Sequence, residues 1–384
     1  MIFRRSSWNS SAVARIGLCA AMLAPLAACS DRIPSIKAPL GLPPVPFPAE
    51  DRPTGAKISL GEKLFFDRRL SANGTMSCAM CHVPEQAFTV NELTTAVGLG
   101  GASLRRNAPT VLNIGYHPQL FHDGRKQSLE AQAWEPLLAS DEMGNQSADQ
   151  VLDRLRGFAD YRGMFETAFD GKAPNVATVG QALASYQRSL VSGDSRFDRY
   201  RYGGESAALS DTEKIGYLVF LGKGRCAGCH LIGNTAALFS DFQCHNTGIG
   251  NQASRQSGQQ QPVSVRLAAD QTATLTAEDL KRLGVQPVSD LGRFEVTQQD
   301  ADRWAYKTPM LRNVELTAPY MHDGSLPTLE AVIDYYDQGG SHVQGQSPLV
   351  APIGMTPSEK RGLRAFLSTL TGNPSPARYQ RSDK

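Results

Sequence analysis

A Cys-x-x-Cys-His pentad stands twice in this 384-residue chain, as Cys78-Ala79-Met80-Cys81-His82 and as Cys226-Ala227-Gly228-Cys229-His230. Two thiols at this spacing can each add to one vinyl group of a porphyrin, and the adjoining imidazole can meet the iron from the proximal side. Each pentad therefore has the make-up of a covalent haem c attachment site. Two rivals share the thiols: a redox dithiol, which has no use for the histidine, and a four-cysteine zinc site, which would leave both histidines idle. The repetition of the whole pentad favours two haem c groups, ligated by His82 and His230 and attached through Cys78, Cys81, Cys226 and Cys229.

The other three of the seven cysteines divide by position. Arg4, Arg5 and Arg15 precede a short apolar run, Ile16 to Ala28, of signal-peptide type and too short to span a bilayer. It ends in Leu26-Ala27-Ala28-Cys29, a lipobox-like sequence, so residues 1–29 are expected to be a lipoprotein-type signal with Cys29 acylated. An ordinary cleaved signal is the alternative. The expected location is the periplasm, anchored to the outer membrane by lipid alone, with Pro-rich residues 30–54 as a tether. Cys19 would leave with the signal, and Cys244 reads as a buried small hydrophobe with no disulfide partner. The near balance of 39 Lys and Arg against 37 Asp and Glu excludes a nucleic-acid partner on charge.

An internal repeat must position these groups. Asn107-Ala108-Pro109-Thr110-Val111-Leu112-Asn113 and Lys307-Thr308-Pro309-Met310-Leu311-Arg312-Asn313 are each followed by His-Asp-Gly (122–124, 322–324) and Leu-Glu-Ala (129–131, 329–331), all offset by 200 residues. The pentads are offset by only 148, so the second copy has about 50 extra residues, which Asn251 to Gln261 and Thr276 to Leu291 would account for. Helical spacing marks Leu60 to Phe66, Val151 to Phe158, Val176 to Leu190, Thr212 to Leu221 and Thr356 to Leu370, with Ser210 or Asp211 as a cap; no convincing strand pattern appears. The expected fold is mainly α: two cytochrome c-like haem domains related by internal duplication. The domains are expected at 55–205 (N-terminal haem domain) and 206–372 (C-terminal haem domain), followed by a tail at 373–384.

The repeat also predicts an asymmetry. Twelve residues beyond the glycine of His-Asp-Gly stands Tyr336 in the second copy and Pro136 in the first. A phenolate can ligate ferric iron and proline cannot. The second haem would then be closed and the first open, unless Tyr335 and Tyr336 only pack and Met310, Met321, Met355 or His342 is the ligand.

The chain resembles the bacterial di-haem cytochrome c peroxidase family, including its MauG-like branch. The resemblance rests on Leu60-Gly61-x-x-Leu64-Phe65-Phe66-Asp67, Arg106-Asn107-Ala108-Pro109-Thr110, Asp123-Gly124-Arg125, Asp141-Glu142-Met143, Thr308-Pro309-x-Leu311-Arg312-Asn313 and Pro319-Tyr320-Met321-His322-Asp323-Gly324, and runs to Leu367-x-x-Leu370-Thr371-Gly372. It implies a peroxidatic N-terminal haem and a C-terminal haem that relays electrons, with Tyr336 at the axial position. It further implies a distal pocket of Gln132, Pro136 and Glu142. A carboxylate there can move the proton that peroxide cleavage requires, with Gln132 orienting the peroxide; the plain alternative for Glu142 is a solvated loop carboxylate. No His stands between His82 and His117, so the first haem is expected to be open without reductive activation.

One departure concerns the inter-haem residue, where the family usually has Trp and this chain has His122. Imidazole is much harder to oxidise than indole, and Trp134 or Tyr116 would have to substitute if they are not simply core residues. A calcium ion between the domains is also implied, held by Asn107, Thr317 and Pro319. The function expected is reduction of hydrogen peroxide, with a small redox protein or a quinol as electron donor. The alternatives are peroxide-dependent oxidation of aromatic residues in a partner protein, and a non-enzymatic di-haem electron carrier.

Overall fold

The computed structural model describes residues 36–101, 103–251, 263–268, 271–275 and 290–374, and of 263–275 only the backbone. The expected signal peptide, Cys29 and most of both expected insertions lie outside the described residues. Helices dominate, and strands among the described residues are confined to three two-stranded ladders. One of them, β3 (Val263–Ala268) with β4 (Gln271–Leu275), is a hairpin that the sequence pattern did not announce. The others are two residues long: β1 (Ser192–Gly193) with β6 (Asn373–Pro374), and β2 (Cys244–His245) with β5 (Tyr306–Lys307).

Two helix pairs, each closed on a glycine, organise two separate apolar cores. Helix α1 (Gly55–Phe66) starts where the Thr54 hydroxyl accepts from the Lys57 N–H, and it buries Leu60, Leu64 and Phe65. It crosses α7 (Val176–Ser189) at Gly61, where a Cβ would fall 1.9 Å from the Ala182 carbonyl oxygen. The core around this crossing takes in Leu137 of α4 (Trp134–Leu138), Val151 and Leu155 of α5 (Ala148–Gly157) and Phe165 of α6 (Met164–Ala168). The second pair is α9 (Asp211–Leu221), opened by a Ser210–Glu213 capping box, and α12 (Pro357–Ser368), opened by a Thr356–Glu359 box. They meet at Gly216, whose Cβ would fall 1.9 Å from the Gly362 oxygen. Phe220, Phe239 and Phe366 form the core here, with Phe197 of α8 (Arg196–Arg201).

The repeated sequences fold alike. Asn113 and Asn313 both have φ +61°, and their N–H groups donate to Leu190 O and Leu370 O, just beyond α7 and α12. Antiparallel bridges Leu120–Lys126 and Tyr320–Leu326 frame Gly124 and Gly324, both at positive φ. Ser128 then caps α3 (Leu129–Gln132) and Thr328 caps α11 (Leu329–Asp337); the remaining helices are α2 (Cys78–Cys81) and α10 (Phe294–Thr297).

Two expectations need correction. The segment expected as a tether is packed against the body over its described part: Leu42 and Val45 are buried with Tyr116 and Val191. Its Gly41 oxygen accepts from Arg312, which is itself fully buried against Asp198. Prolines favour an extended chain, but burying the apolar residues between them outweighs free motion. Cys244 is not fully buried; as an edge residue of the short β2–β5 ladder it is only half covered.

Candidate haem sites

The first pentad lies on α2 and its C-terminal residue His82, at the wall of a cavity of about 790 Å³. His82 Nδ1 lies 3.2 Å from the Phe88 carbonyl oxygen, a contact that makes Nδ1 the donor and leaves the Nε2 lone pair for a metal. The second pentad lines another cavity, of about 330 Å³, where His230 Nδ1 stands 2.8 Å from the Phe239 oxygen. Both phenylalanines adopt left-handed backbone conformations, φ +57° and +53°. The next residue in each case pins the turn: the Thr89 hydroxyl donates to Ala108 O, and the Ser240 hydroxyl to Thr308 O at 2.7 Å. Burial pushes both imidazoles below their ordinary range, keeping them neutral as iron ligation requires.

The burial of the thiols and their placement in separate cavities bear on the chemistries open to them. Burial pushes Cys78 up to about 12, Cys81 and Cys226 to about 11, and Cys229 upward too. A redox dithiol needs a lowered value, and a four-cysteine zinc site needs the pairs together, whereas they line separate cavities. The one metal-type cluster among the described residues is Cys229, Asp241 and His245, and there His245 Nε2 already meets Asp241 at 2.8 Å. Two cysteines and a neutral, correctly oriented histidine at the wall of each cavity fit covalent haem.

Gln132, Pro136 and Glu142 all line the first cavity. Gln132 ends α3, Pro136 lies in the first turn of α4, where its missing N–H costs no hydrogen bond, and Glu142 lies in the turn after it. That turn is fixed by Met143 N–H to Pro136 O and by Leu99 N–H to Asp141 O. Burial raises the Glu142 carboxyl above the usual range, Asp141 adds to this, and Arg125 opposes it. This is not a solvated loop carboxylate.

Tyr336 lines the second cavity from α11, and burial pushes its phenol up. Tyr335 is turned elsewhere, its hydroxyl donating to Thr247 O at 2.7 Å. Met310, Met321 and Met355 share the lining with Tyr336; His342 does not. His122 lines both cavities, with Nε2 2.9 Å from Asn107 O, and burial lowers it to about 3. Trp134 and Tyr116 line neither: they are core residues bonded to Val176 O and Pro43 O. Asn107, Thr317 and Pro319 all reach the second cavity, and the Asn107 amide donates to Thr94 O.

The sequence reading missed the two carbonyls that orient the histidines. Their signal was present, an aromatic followed by a hydroxyl residue six and nine positions after His82 and His230. It also passed over the ion pairs around the first cavity, Arg106 with Asp123 and Asp290, and Arg125 with Asp123.

Comparison with known proteins identifies the family. Residues 55–207 match the family model for di-haem cytochrome c peroxidase, and residues 305–338 match one described as RoxA-like, cytochrome c-like. The chain is 39% identical to the methylamine utilization protein MauG of Methylorubrum extorquens, over 86% of this chain and 82% of that one. It is 35% identical to the cytochrome-c peroxidase IdrP1 of Denitromonas iodatirespirans, over 87% and 86%. A solved MauG-like protein associated with microbial copper homeostasis superposes with a TM-score of 0.71 at 33% identity, covering 88% of this chain and 95% of its own. With two haem-binding cavities and relatives of this extent, the chain belongs to the di-haem cytochrome c peroxidase family that includes MauG, and is an oxidoreductase with covalently bound haem c.

Proposed function

We propose that the protein reduces hydrogen peroxide to water at the His82 site, with electrons arriving through the His230 site from a small redox protein or a quinol. Bound there, haem supplies the redox-active iron. The chain supplies the proton handling: Glu142 takes a proton from one peroxide oxygen and returns it to the other, so that one peroxide, two electrons and two protons give two waters. Gln132 orients the peroxide by hydrogen bonding, and Pro136 keeps the distal side free of a ligand. The observation that carries this reading is the half-buried Glu142 carboxyl, raised above the usual range by burial, lining the first cavity in company with Gln132 and Pro136. Glu142→Gln should slow the stopped-flow reaction with peroxide by about 10²-fold or more; an unchanged rate removes Glu142 from the mechanism.

Tyr336, at the register position of Pro136, favours a second reading, oxidation of aromatic residues in a partner protein, and the likeness to MauG supports it. His122 speaks against it, since a buried neutral imidazole is a poor carrier of oxidising equivalents. Radical trapping on co-purified partners separates the two. The same proposal includes origin of the two halves by duplication, a calcium ion at Asn107, Thr317 and Pro319, and a periplasmic location with a lipid anchor at Cys29. No helix among the described residues is long and apolar enough to cross a membrane.

A further inference from the structure

The second cavity is short of negative charge. Arg225, Lys307 and Arg312 line it, and among the described residues no Asp or Glu does. Arg312 is committed to Asp198, and Arg225, on the exposed side, donates to the Ala351 and Pro352 carbonyls. The Lys307 ammonium meets no acid among the described residues. Its hydrogen-bond partner is the Nδ1 of His117, 3.0 Å away, a half-buried ring that stands edge-on to Phe242. Strand β5 fixes the lysine from behind, through pairing with Cys244 and a 2.7 Å bond from its N–H to the His122 oxygen.

Burial lowers Lys307 to about 8, opposed only by the Cys244 thiol, and drives His117 well below its ordinary range; Lys307 therefore donates to a neutral imidazole. A buried ammonium facing an imidazole and no carboxylate is costly unless an anion completes it. The first cavity differs: Arg105, Arg106 and Arg125 there are each paired with carboxylates, Glu295, Asp290 and Asp123 among them. A haem brings two carboxylates with it.

We propose that Lys307, steadied by His117, is the carboxylate-binding group of the second cavity, taking a propionate of the haem attached at Cys226 and Cys229 and thereby setting that haem's reduction potential. The proposal rests on assignment of the second pentad to haem. Its test uses the full-length holoprotein with Lys307→Met, Lys307→Gln and Lys307→Arg, haem counted by pyridine haemochrome and each haem titrated potentiometrically. Removing a positive charge favours ferric iron, so in the Met and Gln variants the second haem's reduction constant should fall by tenfold or more, about 59 mV for one electron. Arg should restore it, and the first haem should not move. A two-haem Gln variant whose second potential is unchanged or higher overturns the proposal, whether or not the Met variant folds. Wild-type protein with one haem per chain sinks the haem assignment beneath it, a failure the haem count reads separately.

Discussion

Replacing Asp198 with Asn should cost this protein more stability than any exposed acid-to-amide change. The Asp198 carboxylate is 0% exposed and takes two hydrogen bonds from Arg312, at 2.8 and 2.9 Å; the arginine side chain is 1% exposed. Arg312 also donates to Ala237 O and Gly41 O, so one guanidinium ties the N-terminal segment to α8 and to the second core. The amide has nearly the carboxylate's shape but leaves the arginine charge without a counter-ion. Breaking a buried pair in this way costs ~3–5 kcal/mol. At roughly 1.4 °C per kcal/mol for a body of about 340 residues, the melting temperature should fall by about 4–7 °C. Asp153 supplies the contrast, since its pair with Arg156 is 74% and 51% exposed. Asp153→Asn should change stability by no more than ~1 kcal/mol, and added salt should remove even that. Urea unfolding followed by far-ultraviolet circular dichroism, at equal haem content, measures both. The reasoning fails if Asp198→Asn loses no more than Asp153→Asn.

Four further outcomes are expected. Glu142→Gln should raise stability at neutral pH: the folded-state carboxyl is raised, so its ionised form is disfavoured by folding, and the gain over wild type should vanish as pH falls below the unfolded carboxyl's value; urea midpoints against pH read this directly. For the same reason the acid limb of wild-type peroxide turnover should lie above the ordinary carboxylate range, and Gln should abolish it. Tyr336→Met should raise the second haem's potential, because a phenolate favours ferric iron more than a thioether does, and potentiometry with an unchanged value would count against Tyr336 as a ligand. Gly61→Ala or Gly216→Ala should force α1 from α7 or α9 from α12, with a loss of at least ~1–3 kcal/mol read by denaturation.

The helices and the haem sites were largely legible in the sequence, for different reasons. Apolar spacing located α5, α7, α9 and α12 to within a few residues because each buries one face, and Ser210 was readable as a cap because it precedes Glu213 by three. The pentads were legible because covalent attachment tolerates one spacing. Less was visible wherever function rests on backbone. The Phe88 and Phe239 carbonyls carry no side-chain signature of what they hold, and their left-handed φ is imposed by surroundings that lie far off in sequence. Lys307 read only as the first residue of the second repeat, since its distance from the carboxylates of the described residues depends on strands and loops that meet only in the fold. The Pro-rich segment misled because composition reports the cost of ordering a chain, not the apolar surface waiting to receive it.

The matched cradles of the two histidines have a consequence for evolution. Each imidazole meets a carbonyl set by the same turn and the same hydroxyl latch, so a haem bound at either site would meet a histidine held in the same way. Divergence of the two centres is thereby confined to the opposite side, where Pro136 and Tyr336 stand at equivalent places. With the two sites serving as proposed, exchanging very few side chains there should suffice to convert a conducting centre into a reactive one, or the reverse, while the part that would anchor the metal stays untouched.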